Sequence, residues 1–280
     1  MVIPLFSIRG RGKGPYRAVA STAINLRFEE SLTQVLAKMP SVSLAQMESV
    51  SLMSRIDTKY LTTKQGLLRL LERVVESYFV QSIDSQEIMR YHTVYLDTVD
   101  HFFYRQHFRG ALPRMKLRMR TYLDSDGLTF FEIKHKNNRQ KTRKKRIPIS
   151  SVETAATTGA PEFLYQNTGL DFYDYRRTVQ NKFRRVTLVN RAMTERLTID
   201  FDIDYLNFET GREDTSGDLV VIELKRGGPV YSPIRAVLTQ LHIHPCGYSK
   251  YMAGAAMTNP SLRANKRKQV YISKVLRSAF

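Results

Sequence analysis

Between Lys116 and Lys136 the chain reads KLRMRTYLDSDGLTFFEIKHK, with charged and apolar residues alternating on both sides of an Asp126-Gly127 pair. Successive side chains of a strand point to opposite faces, so a period of two sorts this stretch into one charged and one apolar face. Asp-Gly is a strong hairpin turn, which makes the two halves antiparallel neighbours. The first half aligns Lys116, Arg118 and Arg120 against Leu117 and Met119. The second aligns Glu132, Lys134 and Lys136 against Phe131 and Ile133. No helix accommodates this pattern, and it recurs along the chain.

RIDTKY aligns Arg55, Asp57 and Lys59, and TRKKRIPI aligns Lys144 and Arg146. RRVTLV aligns Arg185 with Thr187, RLTIDFD aligns Arg196, Thr198, Asp200 and Asp202, and VIELK aligns Glu223 with Lys225. A single strand of this kind is explained by an ordinary half-exposed sheet with its charges in water. Seven of them dominated by Arg and Lys point instead to a shared charged surface. If that surface faces inward, its like charges repel at low dielectric and require an anion between them. Phosphates suit it, because Arg offers a two-pronged donor and Lys a point charge. The few carboxylates then read as ligands for Mn²⁺ or Mg²⁺, which prefer oxygen donors and bridge phosphates. Glu223 is the first metal candidate and Glu132 the second. The plainer alternative for Glu223 is a structural Glu–Lys ion pair.

Composition agrees. Lys and Arg number 44 against 26 Asp and Glu, a net charge of +18, which favours a polyanionic partner. Hydrophobic residues make up 42% of the 280, enough for a core. The single cysteine, Cys246, excludes an intrachain disulfide and suits a reducing compartment. No apolar run approaches the roughly 18 to 20 residues of a membrane span, and the order of apolar then basic residues at the start is wrong for a signal peptide.

Strands are expected at Arg55 to Leu61, Tyr78 to Ile83, Ile88 to Asp97, Thr142 to Ile149, Lys182 to Asn190, Arg196 to Tyr205 and Asp218 to Lys225, besides the central hairpin. Helices are expected at Glu30 to Met39, Lys64 to Ser77 and Ser232 to Leu241, with an irregular excursion over 150–180. Short turns imply antiparallel pairing, and so many strands ordinarily close or fold over to hide their edges. The expected organisation is a loosely ordered basic extension over 1–27, one α+β domain over 28–256 and a basic tail over 257–280. His242 and His244 read as a loop feature before a proline.

SLMSRIDTKY, YHTVYLDT, KLRMRTY, FFEIKHKNNRQKTRKKRI, RLTIDFD, VIELK and GYSKYMAG, in that order over about residues 48–254, resemble the VTC domain. This is the polyphosphate polymerase domain of the vacuolar transporter chaperone complex, within the CYTH-like triphosphate tunnel metalloenzymes. The resemblance implies a closed antiparallel eight-stranded β-barrel with flanking helices, a tunnel that binds triphosphate and a divalent metal. It places Arg118, Arg120, Lys134 and Arg196 as the catalytic clamp on a γ-phosphoryl group. Lys59, Lys116, Lys136, Lys144, Arg146, Arg185, Lys225 and Lys250 become phosphate-binding positions, and Glu223, followed by Glu132, the metal position. Phe183 stands where the family's Tyr-x-Arg strand has tyrosine, so a hydroxyl is missing. Arg55-Ile56-Asp57-Thr58-Lys59 replaces the Glu-x-Glu-x-Lys of the phosphatase relatives, which favours transfer to a phosphate acceptor over hydrolysis.

The expected activity is therefore a metal-dependent polyphosphate polymerase. It would use ATP or another NTP, with inorganic polyphosphate as acceptor and product and a membrane protein as an export partner. A tripolyphosphatase on the same fold and a non-catalytic polyphosphate- or nucleic-acid-binding module are the alternatives. Nucleic acid is disfavoured because zinc-finger, RNP-like and helix-turn-helix patterns are absent. The expected location is the cytoplasm, or the periphery of a membrane.

Overall fold

The alternating segments form one antiparallel sheet in a computed structural model that describes residues 15–48, 55–139, 142–228, 231–265, 269, 272–273 and 275–276. In chain order its elements are α1 (Pro15–Leu36), β1 (Ser41–Val42), α2 (Leu44–Glu48), β2 (Arg55–Thr63), α3 (Lys64–Val74), β3 (Tyr78–Gln81), β4 (Ile88–Asp97), α4 (Phe102–Phe108), β5 (Arg114–Tyr122) and β6 (Thr129–Lys136). They continue with β7 (Thr142–Ile149), α5 (Ala160–Thr168), β8 (Arg176–Asn190), β9 (Glu195–Asn207), β10 (Glu213–Thr215), β11 (Leu219–Gly227), α6 (Pro233–Gln240) and α7 (Lys250–Thr258). The main strand order is β2-β11-β9-β8-β4-β5-β6-β7, with β1, β3 and β10 off this path. Among the described residues no helix is long and apolar enough to cross a membrane.

The apolar face of the sheet is covered by helices. Leu67, Leu70, Leu71 and Val74 repeat at helical spacing along α3 and are buried. Thr63 starts that helix by accepting the Gly66 amide at 3.1 Å. With α1 and α6 they pack on Val186, Leu188, Leu197, Ile199, Ile222 and Leu224. A second core joins Leu117, Met119, Phe131 and Ile133 to Ala160 and Leu164 of α5. The helix expected at Glu30–Met39 starts earlier, at Pro15, and ends at Leu36. Residues 1–14 of the expected extension and several of the tail's lie outside the described residues.

The sheet curls but does not close, which corrects the expected barrel. Lys134 on β6 interacts electrostatically with Glu223, Lys59 and Asp57 on β11 and β2. In a flat sheet β6 and β2 would lie about 29 Å apart, six steps of about 4.8 Å, so the two ends must bend toward each other. Yet β2 and β7 share no ladder. The edge of β2 is taken by the segment before α7: the Cys246 amide donates to the Lys59 carbonyl at 2.8 Å, and Tyr60 bridges Pro245. The other edge, β7, is exposed from Thr142 to Arg146 and carries Pro148. One edge is covered and the other is charged, two established ways of managing an open sheet without closure.

One expected alignment also changes. The β8–β9 register slips between Lys182 and Arg184, and Asp202 takes a left-handed φ of 49°. A bulge adds a residue to one strand and reverses which face follows. Asp202 is therefore turned to the outside, where it pairs with Lys64 at 2.7 Å and Arg184 at 3.2 Å.

Candidate active site

Register alone gathers the sequence-predicted residues. Lys59 pairs with Glu223, Lys225 with Arg196, and Arg185 with Asp200. Arg118 pairs with Glu132, Lys116 with Lys134, Lys134 with Lys144, and Glu132 with Arg146. Directly paired residues lie on the same face, so these side chains line the inner face of the curled sheet. Lys250 joins them from the first turn of α7, where Ser249 is the N-cap. Lys136 lies at the end of β6, and Arg146 is exposed at the rim, its guanidinium 4.3 Å from the Phe130 ring centre. The cations of this face outnumber its carboxylates Asp57, Glu132, Asp200 and Glu223.

Three carboxylates act as anchors. Glu132 is fully buried, accepts Arg118 Nε at 2.5 Å and pairs with Lys144. Burial would raise its pKa, but Arg118, Arg120 and Lys144 hold it down to about 2. Asp200 accepts Arg185 Nε at 2.5 Å and Nη2 at 2.8 Å, and it also takes Lys250 Nζ. Glu223 pairs with Lys59 and, at 2.9 Å, with Lys225. Burial works against the charge of Asp200 and Glu223 too, and their cationic partners hold both well below the usual carboxylate range.

The remaining cations are under electrostatic stress. Burial first, and then Arg118, push Lys134 down to about 8. Burial, with Arg185 opposing the help of Asp200, brings Lys250 to about 8. Burial and the charges of Arg118 and Arg185 lower Arg120 to about 10. Lys116 is pushed well below its ordinary value by burial and by Lys134, and its Nζ donates to Ser249 Oγ at 2.9 Å. Among the described residues Lys134 has no carboxylate within ion-pair distance. An anion entering here would relieve a repulsion the protein maintains without it.

Sequence reasoning named Phe183 only as a missing hydroxyl and missed Tyr91 and Thr93, the rest of the uncharged part of this surface. Tyr91 and Phe183 stack with ring centres 5.1 Å apart, and Arg120, Arg185 and Lys250 lie over them at 4.2–5.9 Å. Thr93 accepts Arg120 Nε at 3.2 Å. The period-two pattern of IMRYHTVYLD holds Tyr91 and Thr93, but its two charged residues, Arg90 and Asp97, pair elsewhere, with Asp124 and with the start of α4. Asp200, seen only as an aligned carboxylate, is the anchor for two cations.

No group of three or more His, Cys, Asp or Glu able to hold a metal ion is gathered among the described residues. His242 and His244 are both exposed after α6. Glu223 is ionised, faces the cluster and has 17% of its side chain exposed. It therefore fits Mg²⁺ or Mn²⁺ as one protein ligand to an ion whose other donors are phosphate oxygens. Both carboxylates have their two oxygens paired with cations, but Glu132 has no exposed side-chain surface and does not fit that role.

Among solved structures the chain is similar to a candidate adenylate cyclase from Bacillus halodurans, with TM-score 0.47 and 14% identity over 70% of this chain and 94% of that one. It is also similar to a candidate adenylyl cyclase from Hippeastrum described as having a dominant triphosphatase activity, with TM-score 0.45 and 14% identity over 73% and 96%. A candidate adenylate cyclase from Vibrio parahaemolyticus gives TM-score 0.42 and 14% identity over 71% and 97%. No curated protein matches the chain. The model of the VTC domain matches residues 54–259, the stretch that holds every strand of the curled sheet's main path and α7, and the chain belongs to the VTC domain family.

Proposed function

We propose that the inner face binds a nucleoside triphosphate such as ATP and transfers its γ-phosphoryl group to the end of an inorganic polyphosphate chain. The observation that carries this reading is the set of inward cations supplied by β2, β11, β9, β8, β5, β6 and β7, interrupted at β4 by Tyr91 and Thr93, with Lys134 and Lys250 pushed down to about 8. A face built this way is completed by a chain of anions.

The anchors set the geometry. Glu132 takes Nε of Arg118, and Asp200 takes two nitrogens of Arg185, so each guanidinium is oriented before the ligand arrives. Arg118, Arg120, Lys134 and Arg196 clamp the γ-phosphoryl oxygens. A terminal oxygen of the polyphosphate attacks the γ-phosphorus in line. The bond to the β,γ-bridging oxygen breaks, and the nucleoside diphosphate leaves with that electron pair. The attacking oxygen is already anionic near neutral pH, so no strong general base is required. Positioning and charge neutralisation supply most of phosphoryl-transfer catalysis. A divalent ion held by Glu223 and phosphate oxygens would add neutralising charge.

The test incubates the purified protein with ATP and Mn²⁺, with and without a short polyphosphate primer. Chains are resolved on a gel and free phosphate is assayed in parallel. A ladder of long chains with little free phosphate is the expected result. Free phosphate without chains would assign hydrolysis, and neither product would leave a binding module. Arg118→Ala is expected to lower the rate at least about tenfold, since removing one transition-state donor typically costs about a hundredfold or more. Glu223→Ala is expected to abolish metal-dependent turnover. Full activity in both variants contradicts the assignment.

A further inference from the structure

We infer that the free edge strand β7, with Arg139 ahead of it, forms an external track for the part of a polyphosphate chain that extends beyond the inner face. The inference rests on the reading of that face as a phosphate-chain site. It follows from how the sheet ends. Among the described residues nothing pairs with the outer edge of β7, so that edge presents unpaired backbone N–H groups. The strand is cationic on both faces. Lys144 and Arg146 face inward opposite Lys134 and Glu132, while Arg143 and Lys145 face outward opposite His135 and Ile133. Arg139 is exposed in the turn that joins β6 to β7.

The charge here is not balanced locally. No Asp or Glu occurs between Glu132 and Glu153 in the sequence. Glu132 is buried and committed to Arg118 and Lys144. Among the described residues no carboxylate pairs with Arg139 or Arg143, and Lys145 meets only the amide of Asn167. A solvated protective edge would need a charge or two; this one has cations on both faces, continuous with the inner site. A linear polyanion that crosses the rim meets such a strand at every residue, roughly each 3.3 Å. The open edge also lets a lengthening product leave sideways, without threading a closed lumen. The exposed residues of β7 include no aromatic side chain on which a base could stack, which disfavours a nucleic-acid strand.

The test compares wild type with the Arg139→Glu/Arg143→Glu double variant, both exposed positions outside the proposed catalytic cluster. Tripolyphosphate and a long-chain polyphosphate are titrated calorimetrically at several matched salt concentrations, and thermal melts confirm that the variant folds. Tripolyphosphate affinity should stay within about twofold, while long-chain affinity falls about tenfold or more, with a shallower salt dependence. Equal long-chain affinity in both proteins overturns the track and leaves the inner site standing. Equal losses for short and long chains also overturn it, since the substitutions would then act on the inner site. A wild type that binds neither phosphate chain overturns the reading of the inner face and the track together. A single-stranded oligonucleotide of similar charge serves as control; if it binds as tightly as the long chain and loses as much, the surface is not specific for polyphosphate and the inference fails.

Discussion

Lys134 illustrates what a single residue contributes to this surface. It projects into a cluster of its own sign and has no carboxylate partner among the described residues. Its folded-state pKa is lowered to about 8 from the ordinary lysine value of 10.5. Folding therefore carries a penalty that is complete below about pH 8 and is relieved as pH rises toward the unfolded value, because the unfolded chain binds the proton more tightly. Lys134→Met should stabilise the fold by about 1–3 kcal/mol near pH 7. That gain should shrink steadily between pH 8 and 10, read from urea midpoints across the range. A stabilisation independent of pH would show that packing, not charge, is responsible. The same variant should lose phosphate-transfer activity, a trade of function against stability of the kind expected at binding sites. That Lys134 shares a face with Arg118 and Lys144 was legible from alternation. That Glu132 would be wholly buried was not, since burial depends on which strands curl over it.

At the scale of elements, α7 connects the fold to the chemistry. Its N-cap Ser249 accepts Lys116, Lys250 reaches Asp200, and the Tyr251 hydroxyl bonds Asp97, which also accepts the amides of Phe103 and Tyr104 at the start of α4. Gly254 lets this helix press against the sheet, because a Cβ there would lie 2.3 Å from a ring carbon of Tyr205. Gly254→Ala should cost about 1–3 kcal/mol through overpacking, measured by chemical denaturation. Unchanged stability would mean that the helix sits farther from the sheet than described. The GYSKYMAG segment pointed to Lys250 but carried no helical periodicity, so its helix was read only as part of the region before a basic tail. The strands were easier. Ile88–Asp97 and Thr142–Ile149 have the expected bounds, because alternation is local information. β8 begins at Arg176, earlier than the Lys182 expected, since RRTVQN offers little contrast between faces. The Asp202 bulge was also invisible, because it depends on the partner strand's register.

For the whole molecule, the closed barrel is the expectation that failed, and the reason is non-local. Closure would require β2 to meet β7, but residues 245–246 occupy the β2 edge and β7 stays open. Nothing in either strand's own sequence announces that a segment nearly two hundred residues downstream will cover β2. The family was legible because motif order survives such differences in how edges are treated. Curling alone brings Lys134 within reach of Glu223 and Lys59, so an inward cationic surface forms without closure.

The most direct test of the account is proton-linked calorimetry. Tripolyphosphate is titrated into the protein at pH 8.5 in two buffers of different ionisation enthalpy. Lys134 and Lys250 are partly deprotonated there, and a bound polyanion should raise their pKa values toward the ordinary range. Saturable binding with net proton uptake is expected, and the uptake should diminish as the pH is lowered toward 6.5. Binding without uptake at pH 8.5, or no binding, would contradict the claim that this inner face is built to hold a phosphate chain.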